Sequence, residues 1–195
     1  MATPSSPHSI LDFWFGRPDD PDYGQPRLTW FTRDPAFDAL IRARYRDILD
    51  SALNGELEHW NDSPRGTLAH LLVLDQLTRN AFRDSARAYA GDEQARRLAI
   101  RLVDSGDHLL LAPIERQFAY LPFEHAEDID HQNRAIALFT ALARDEPSLA
   151  SSVDWARRHR DIIVRFGRFP HRNEVLGRDS TLEEAQFLTE PGSSF

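Results

Sequence analysis

No run of alternating apolar and polar residues lies between turn signals anywhere in this 195-residue chain, so β-strands have no support in it. Apolar side chains recur instead at helical spacing, in segments bounded by Pro, Gly and Ser or Asp caps. Ser6-Pro7 opens a short helix through Ile10, Leu11, Trp14 and Phe15 that Gly16 stops. Asp34-Pro35 starts a longer one whose apolar positions are Phe37, Leu40, Ile41, Tyr45, Ile48, Leu49, Ala52 and Leu53, ended by Gly55. Further helices are predicted from Pro64 to Asn80, from Glu93 to Asp104, and from Pro113 to a break at Pro122. Three more run from Ala126 to Ala143, from Ser148 to Arg165, and onward from a Ser180–Glu183 capping box to Thr189. Short connections between eight or nine helices predict an all-α, single-domain array of antiparallel pairs over 1-195, with no 34-residue repeat.

Composition narrows what such an array can do. Hydrophobic residues make up 41% and charged residues 28%, which supplies a core and excludes a disordered chain. A formal charge of −8 argues against nucleic acid or an anionic membrane as partner. All 23 basic residues are Arg, so a Schiff base or a phosphate-loop lysine is excluded. Without Cys there is neither a disulfide nor a thiolate nucleophile. The opening M-A-T-P-S-S-P-H-S lacks a signal peptide's basic end and apolar run, and Asp75 and Gln76 interrupt the most apolar window. A cytoplasmic protein is expected.

The most heavily functionalised stretch is Phe166–Arg178, F-G-R-F-P-H-R-N-E-V-L-G-R. Gly167, Pro170 and Gly177 mark a shaped loop, and Arg168, His171, Arg172, Arg178 and Asn173 fill it with donors. Helical periodicity turns further polar groups inward. Asp75 and Arg79 continue the stripe of Leu68, Leu71 and Leu72. Gln132, Asp128 and His125 continue that of Ala135, Ile136 and Phe139, and His159 lies within that of Val153, Ala156 and Ile163. Burying such groups unpaired costs ~1–3 kcal/mol each, so they are expected to meet one another or the loop. That meeting is either a structural network with Asp75–Arg79 as a brace or a ligand-facing pocket.

Two sharper chemistries compete with these readings. Glu124, Glu127 and His131 would share one helical face at i, i+3 and i+7, a carboxylate–imidazole set suited to Zn, Fe or Mn. The Glu-x-x-His spacing of di-iron bundles is absent, however, and no metal site is assigned. His125, His159 or His171 could act as general base beside Asp75 or Asp128, with Arg168, Arg172 or Arg178 holding an anion. No nucleophile elbow, phosphate loop or zincin motif accompanies them.

Eight strings run in order through the chain. They are L-D-F-W-F-G (11–16), W-F (30–31), P-R-G-T-L-A (64–69), L-D-Q-L-T-R-N-A-F-R (74–83), E-R-Q-F-A-Y-L-P-F-E-H-A-E (115–127), F-G-R-F-P-H-R-N (166–173), L-G-R-D-S-T (176–181) and the terminal P-G-S-S-F. Together they resemble the bacterial domain-of-unknown-function family numbered nine hundred and twenty-four, over nearly the whole chain. The resemblance implies an all-helical fold placed among tetratricopeptide-like right-handed superhelices, and no activity, substrate or cofactor. The positions matching its motifs include Asp75, Gln76, Arg79, Asn80, Arg83, Arg116, Glu124, His125, Glu127, Gln132, His159, Arg165, Arg168, His171, Arg172 and Asn173.

The leading expectation is therefore a binding module with an Arg/His-lined polar pocket for a small anion or an acidic peptide end. The chain's own carboxylate at Phe195 is one candidate guest. A hydrolase using His125 or His171 as acid/base, with or without a metal, is the second reading. A structural protein–protein adaptor is the third.

Overall fold

The computed structural model describes residues 6–194; Phe195 and residues 1–5 lie outside the described residues. The described chain is helical, with no strand, and it gathers into two compact units. One holds residues up to Arg83 together with Arg87–Pro122; the other holds Asp84–Ala86 together with residues from Phe123 on.

In the first unit the central element is α3, Pro64–Leu72, which continues through one π-helical turn, Val73–Leu77, into α4, Thr78–Ala81. Ser63 caps its start by accepting from Gly66 N–H, as the Ser-Pro pair predicts. Every residue from Gly66 to Thr78 is buried, so what periodicity presents as a stripe is a helix enclosed on all faces. Against it pack α1 (Pro7–Phe15), α2 (Pro35–Leu53) and α5 (Asp92–Asp104). Widening one turn to π geometry displaces carbonyls from their α-helical donors. Two side chains meet them: Thr78 Oγ1 donates to Leu74 O at 2.6 Å, and Arg79 Nη1 to Asp75 O at 2.7 Å.

Aromatic rings from α1, from the turn at Leu28–Trp30 and from α6 (Pro113–Glu124) form the other part of this core. Trp14, Phe15 and Trp30 surround Phe118 at 5.6, 5.4 and 4.8 Å between ring centroids, edge to face. Phe31, by contrast, stacks on Phe118 while 62% exposed, so the N-terminal aromatics serve both as core and as cover.

The second unit is built on α7 (Ile129–Asp145) and α8 (Ser151–Phe166). Arg160, late in α8, donates to Asn133, early in α7, at 2.7 Å, which fixes the pair as antiparallel. The short α9, Leu182–Phe187, follows, and Phe187 packs with Phe166 on a core of Ile162, Ile163 and Phe169.

Three local expectations need correction. α6 does not break at Pro122 but runs on to Glu124. In a last turn a proline removes a single backbone bond, and the Gln132 amide caps the end by donating to Glu124 O at 2.6 Å and Ala126 O at 2.8 Å. α7 starts at Ile129 rather than Ala126, because Asp128 turns its carboxylate to the N–H groups of Asp130 and His131. The last capping box is Thr181 with Glu184, one residue later than Ser180 with Glu183. Glu184 is buried in a pair with Arg168, and that pairing sets the register.

Two glycines are demanded by close approach. A Cβ on Gly66 would lie 2.0 Å from Trp60 O, and one on Gly91 2.4 Å from Leu74 O. Gly66→Ala and Gly91→Ala should each lower stability by at least ~1–3 kcal/mol, the cost of overpacking a well-packed core, as measured by urea denaturation. Wild-type midpoints in both variants would contradict the packing around α3.

Candidate functional site

The second unit contains the loop that the sequence singles out. α8 ends at Gly167, whose φ of 71° lies in the left-handed region that glycine favours. Pro170 then starts a single 3-10 turn, Pro170–Arg172. Glu127 anchors the loop by accepting from Phe169 N–H at 2.8 Å, Arg178 Nη1 at 2.6 Å and Arg178 Nη2 at 2.9 Å. Arg178 Nε donates to Asn173 Oδ1 at 3.0 Å, and Asn173 Nδ2 donates to Ser180 Oγ at 3.0 Å. Burial would push the Glu127 carboxyl up, but the Arg178 and Phe169 donors more than offset it and hold it below the usual carboxylate range.

Further along, Arg168 grips Glu184 with two bonds, at 2.6 and 2.8 Å. This pairing, with the Thr181 N–H, draws the Glu184 carboxyl down to about 2. Arg165 pairs with Glu183 at 2.9 Å on the exposed side. Three of the loop-region arginines thus carry carboxylate partners from the same unit.

Arg172, His125, His159 and His171 are arranged differently. The Arg172 guanidinium is buried over the Phe169 ring, 4.4 Å from its centroid, and Nη1 donates to His125 O at 3.1 Å. His159 stands edge-on to Phe169 at 5.7 Å and 6.2 Å from the His125 ring, while the His171 ring lies tilted 5.7 Å from Phe169. Two imidazoles and one guanidinium therefore meet a single phenyl ring, and the His125 ring adjoins that of His159. His159 Nδ1 lies 2.9 Å from Trp155 O, an acceptor, so Nδ1 carries the proton and Nε2 the lone pair. Burial, reinforced by the nearby His125 and Arg172, pushes the His159 imidazole down to about 3. Glu124 Oε1 lies 3.3 Å from the same Nδ1. Gln132 belongs to this unit too, fully buried, with its amide on the Glu124 and Ala126 carbonyls and Oε1 without a hydrogen-bond partner.

The remaining expected site residues, Asp75, Arg79, Arg83 and Arg116, belong to the first unit. Arg79 Nη1 meets Asp75 Oδ1 at 3.1 Å, and the guanidinium also takes both carboxylate oxygens of Asp92, at 2.8 and 2.9 Å. Asp75 in turn accepts from Gln76 Nε2 at 2.6 Å. Arg83 makes two bonds to the buried Asp38, at 2.7 and 3.0 Å, and Asn80 donates to Asp38 at 2.8 Å. Arg116 lies half-buried on α6. The brace expected between Asp75 and Arg79 is present, and its larger partner is Asp92.

The possible metal face fails on geometry. Glu124 ends α6, Glu127 lies in the connection and His131 lies in α7, so no one helix presents all three. No group of three or more His, Asp or Glu with ligand geometry occurs among the described residues. Asp128 is occupied as the α7 cap. Periodicity missed Phe169 as the ring at the centre, and Asp38 and Asp92 as counter-charges, the first buried and the second half-buried. Asp38 and Asp92 sit in first turns of helices, where an acidic residue is already explained by the helix dipole.

Comparison with known proteins agrees with the fold. A family model described as bacterial protein of unknown function (DUF924) matches residues 10–192. A solved structure of a protein of unknown function, ATU0120 from Agrobacterium tumefaciens, is 40% identical, with a TM-score of 0.80. The match covers 93% of this chain and 96% of that one. No curated protein matches.

His159 generates a pH prediction. A histidine whose folded-state pKa lies below its unfolded value binds protons better when unfolded, so its stabilising share is complete above ~6.5 and is lost as pH falls towards about 3. Between pH 7 and pH 5 that share amounts to about 2 kcal/mol. His159→Asn, which keeps a donor for Trp155 O, should reduce the pH 7 to pH 5 stability difference by this amount in urea melts; an unchanged difference would show that His159 titrates normally. Separately, Glu127→Gln should cost about 1–3 kcal/mol through the loss of charge-assisted bonds to Arg178, read by the same melts.

Proposed function

The chain belongs to the DUF924 family of bacterial proteins of unknown function, which brings no activity with it, and we propose from its own geometry that it is a helical binding module for a small anion. The observation that carries this reading is the grouping of His159, His171 and the buried Arg172 around Phe169, with His125 beside His159. Three nitrogen-rich side chains beside one ring and a fourth next to them, two of the four buried, favour a carboxylate or phosphate guest. An acidic peptide end offers the same carboxylate. Arg165, Arg168 and Arg178, held by Glu183, Glu184 and Glu127, would then form the walls rather than touch the guest. The antiparallel α7–α8 pair supports a tetratricopeptide-like reading of the scaffold, and such helical arrays suit binding more than chemistry.

His159 argues against proton transfer as the main task. With a pKa of about 3 it accepts a hydrogen bond at neutral pH but is a poor proton acceptor for general-base catalysis. An enzyme at this position would have to work through His125 or His171.

Thermal melts in increasing inorganic phosphate, and separately acetate, test the proposal. Saturable stabilisation is expected in the wild type, because a ligand bound only by the folded state raises Tm. For Arg172→Gln and for the more exposed His171→Asn, the midpoint concentration should rise by about tenfold or more, the loss of one charge-assisted bond. A flat wild-type response to both anions, or unaltered midpoints in both variants, would remove the reading.

A further inference from the structure

The first unit has a second polar site, built on α3, α5 and the 3-10 turn Glu58–Asp62. A surface groove of about 310 Å³ is lined by Glu58, His70, Gln94, Arg97, Leu98 and Arg101. That is at the small end of the range for ligand sites.

His70 gives the groove its chemical character. The tautomer follows from a chain of partners. Asn61 Nδ2 donates to Glu58 Oε2 at 2.9 Å, so Asn61 Oδ1 is free to accept, and it lies 3.1 Å from His70 Nδ1. Nδ1 therefore carries the proton and Nε2 presents a lone pair. His70 is 1% exposed, and Nε2 has no hydrogen-bond partner in the protein. Burial pushes the imidazole down to about 4, which keeps it an acceptor at neutral pH. A buried acceptor without a donor is costly, and folded proteins retain one where something else supplies the donor.

The rim supplies the opposite chemistry. Arg97 and Arg101 lie one turn apart on α5, their side chains 59% and 61% exposed. Arg97 pairs with Glu93 at 2.5 Å, while Arg101 reaches Glu58 only at 3.7 Å and its charge is felt at His70. Surface ion pairs of this kind are worth ~0–1 kcal/mol, so either arginine can turn to another anion with little loss.

We propose that this groove binds a small polyol phosphate, whose hydroxyl donates to His70 Nε2 and whose phosphate is held by Arg101 and Arg97. The hydroxyl satisfies the one buried acceptor on the floor, and the phosphate takes the two exposed guanidinium groups at the rim. Leu98 and Ile100 line the apolar side. An anion lacking the hydroxyl leaves Nε2 unmet and binds less tightly.

The test is site-resolved. Long-range nitrogen–proton NMR spectra of the full chain report each imidazole nitrogen, and glycerol 3-phosphate, inorganic phosphate and glycerol are titrated separately. Glycerol 3-phosphate should move the His70 Nε2 resonance saturably, in the direction of an accepted hydrogen bond. Its midpoint should lie about tenfold below that of inorganic phosphate, the value of one hydrogen bond to a buried acceptor. Arg101→Gln, an exposed substitution, should raise the midpoint about tenfold, whereas His171→Asn in the other unit should leave it unchanged. An unmoved His70 resonance, equal midpoints for glycerol 3-phosphate and inorganic phosphate, or an Arg101→Gln midpoint like the wild type would each overturn the proposal. None of those results bears on the His125–His159–His171 cluster, whose own variants are read by melting.

Discussion

Glu127 accepts from three N–H groups of the 166–178 loop, two on Arg178 and one on the Phe169 backbone. A partly buried carboxylate needs that number of donors to stay ionised. The loop in turn needs a fixed point, since Gly167 and Gly177 leave its backbone free to adopt other paths. Phe169 is consequently held where His159, His171 and Arg172 can gather round it. The position of the candidate site is thus a consequence of one ion pair and one backbone bond.

The same rule operates in the first unit with other residues. Asp38 is buried because Arg83 and Asn80 hold it, and the Arg83 and Asn80 bonds offset the burial that would raise its pKa. Arg79 is shared by Asp75 and Asp92, so the π turn after α3 carries its charge without leaving it alone. Breaking such pairs costs more than they contribute over an apolar replacement. They specify which faces meet more than they add to stability.

Against that background the two buried neutral histidines stand apart. His159 and His70 are each held as the Nδ1–H tautomer by an oxygen acceptor, and burial keeps each uncharged. They differ in surroundings. His159 has the Glu124 carboxylate, the His125 ring and Arg172 near it beside one aromatic ring, whereas His70 backs a groove with arginines at its edge.

Helix positions were legible in the chain because caps and apolar spacing are local: Ser6, Asp34 and Ser63 cap where their Pro neighbours imply. The Asp75–Arg79 pair was legible for the same reason, being four residues apart on one helical run. Asp92 as its second partner, Glu127 as the clamp and the register of the Thr181–Glu184 box were not, since each depends on a residue distant in sequence. The extent of α6 past Pro122 likewise depended on Gln132, ten residues on. By itself the sequence determined an all-helical chain rich in inward polar groups, because periodicity and capping act over a few residues. Tertiary structure alone decided which of those groups meet and neutralise one another, because pairing is settled by distance in space, and helix packing sets that distance.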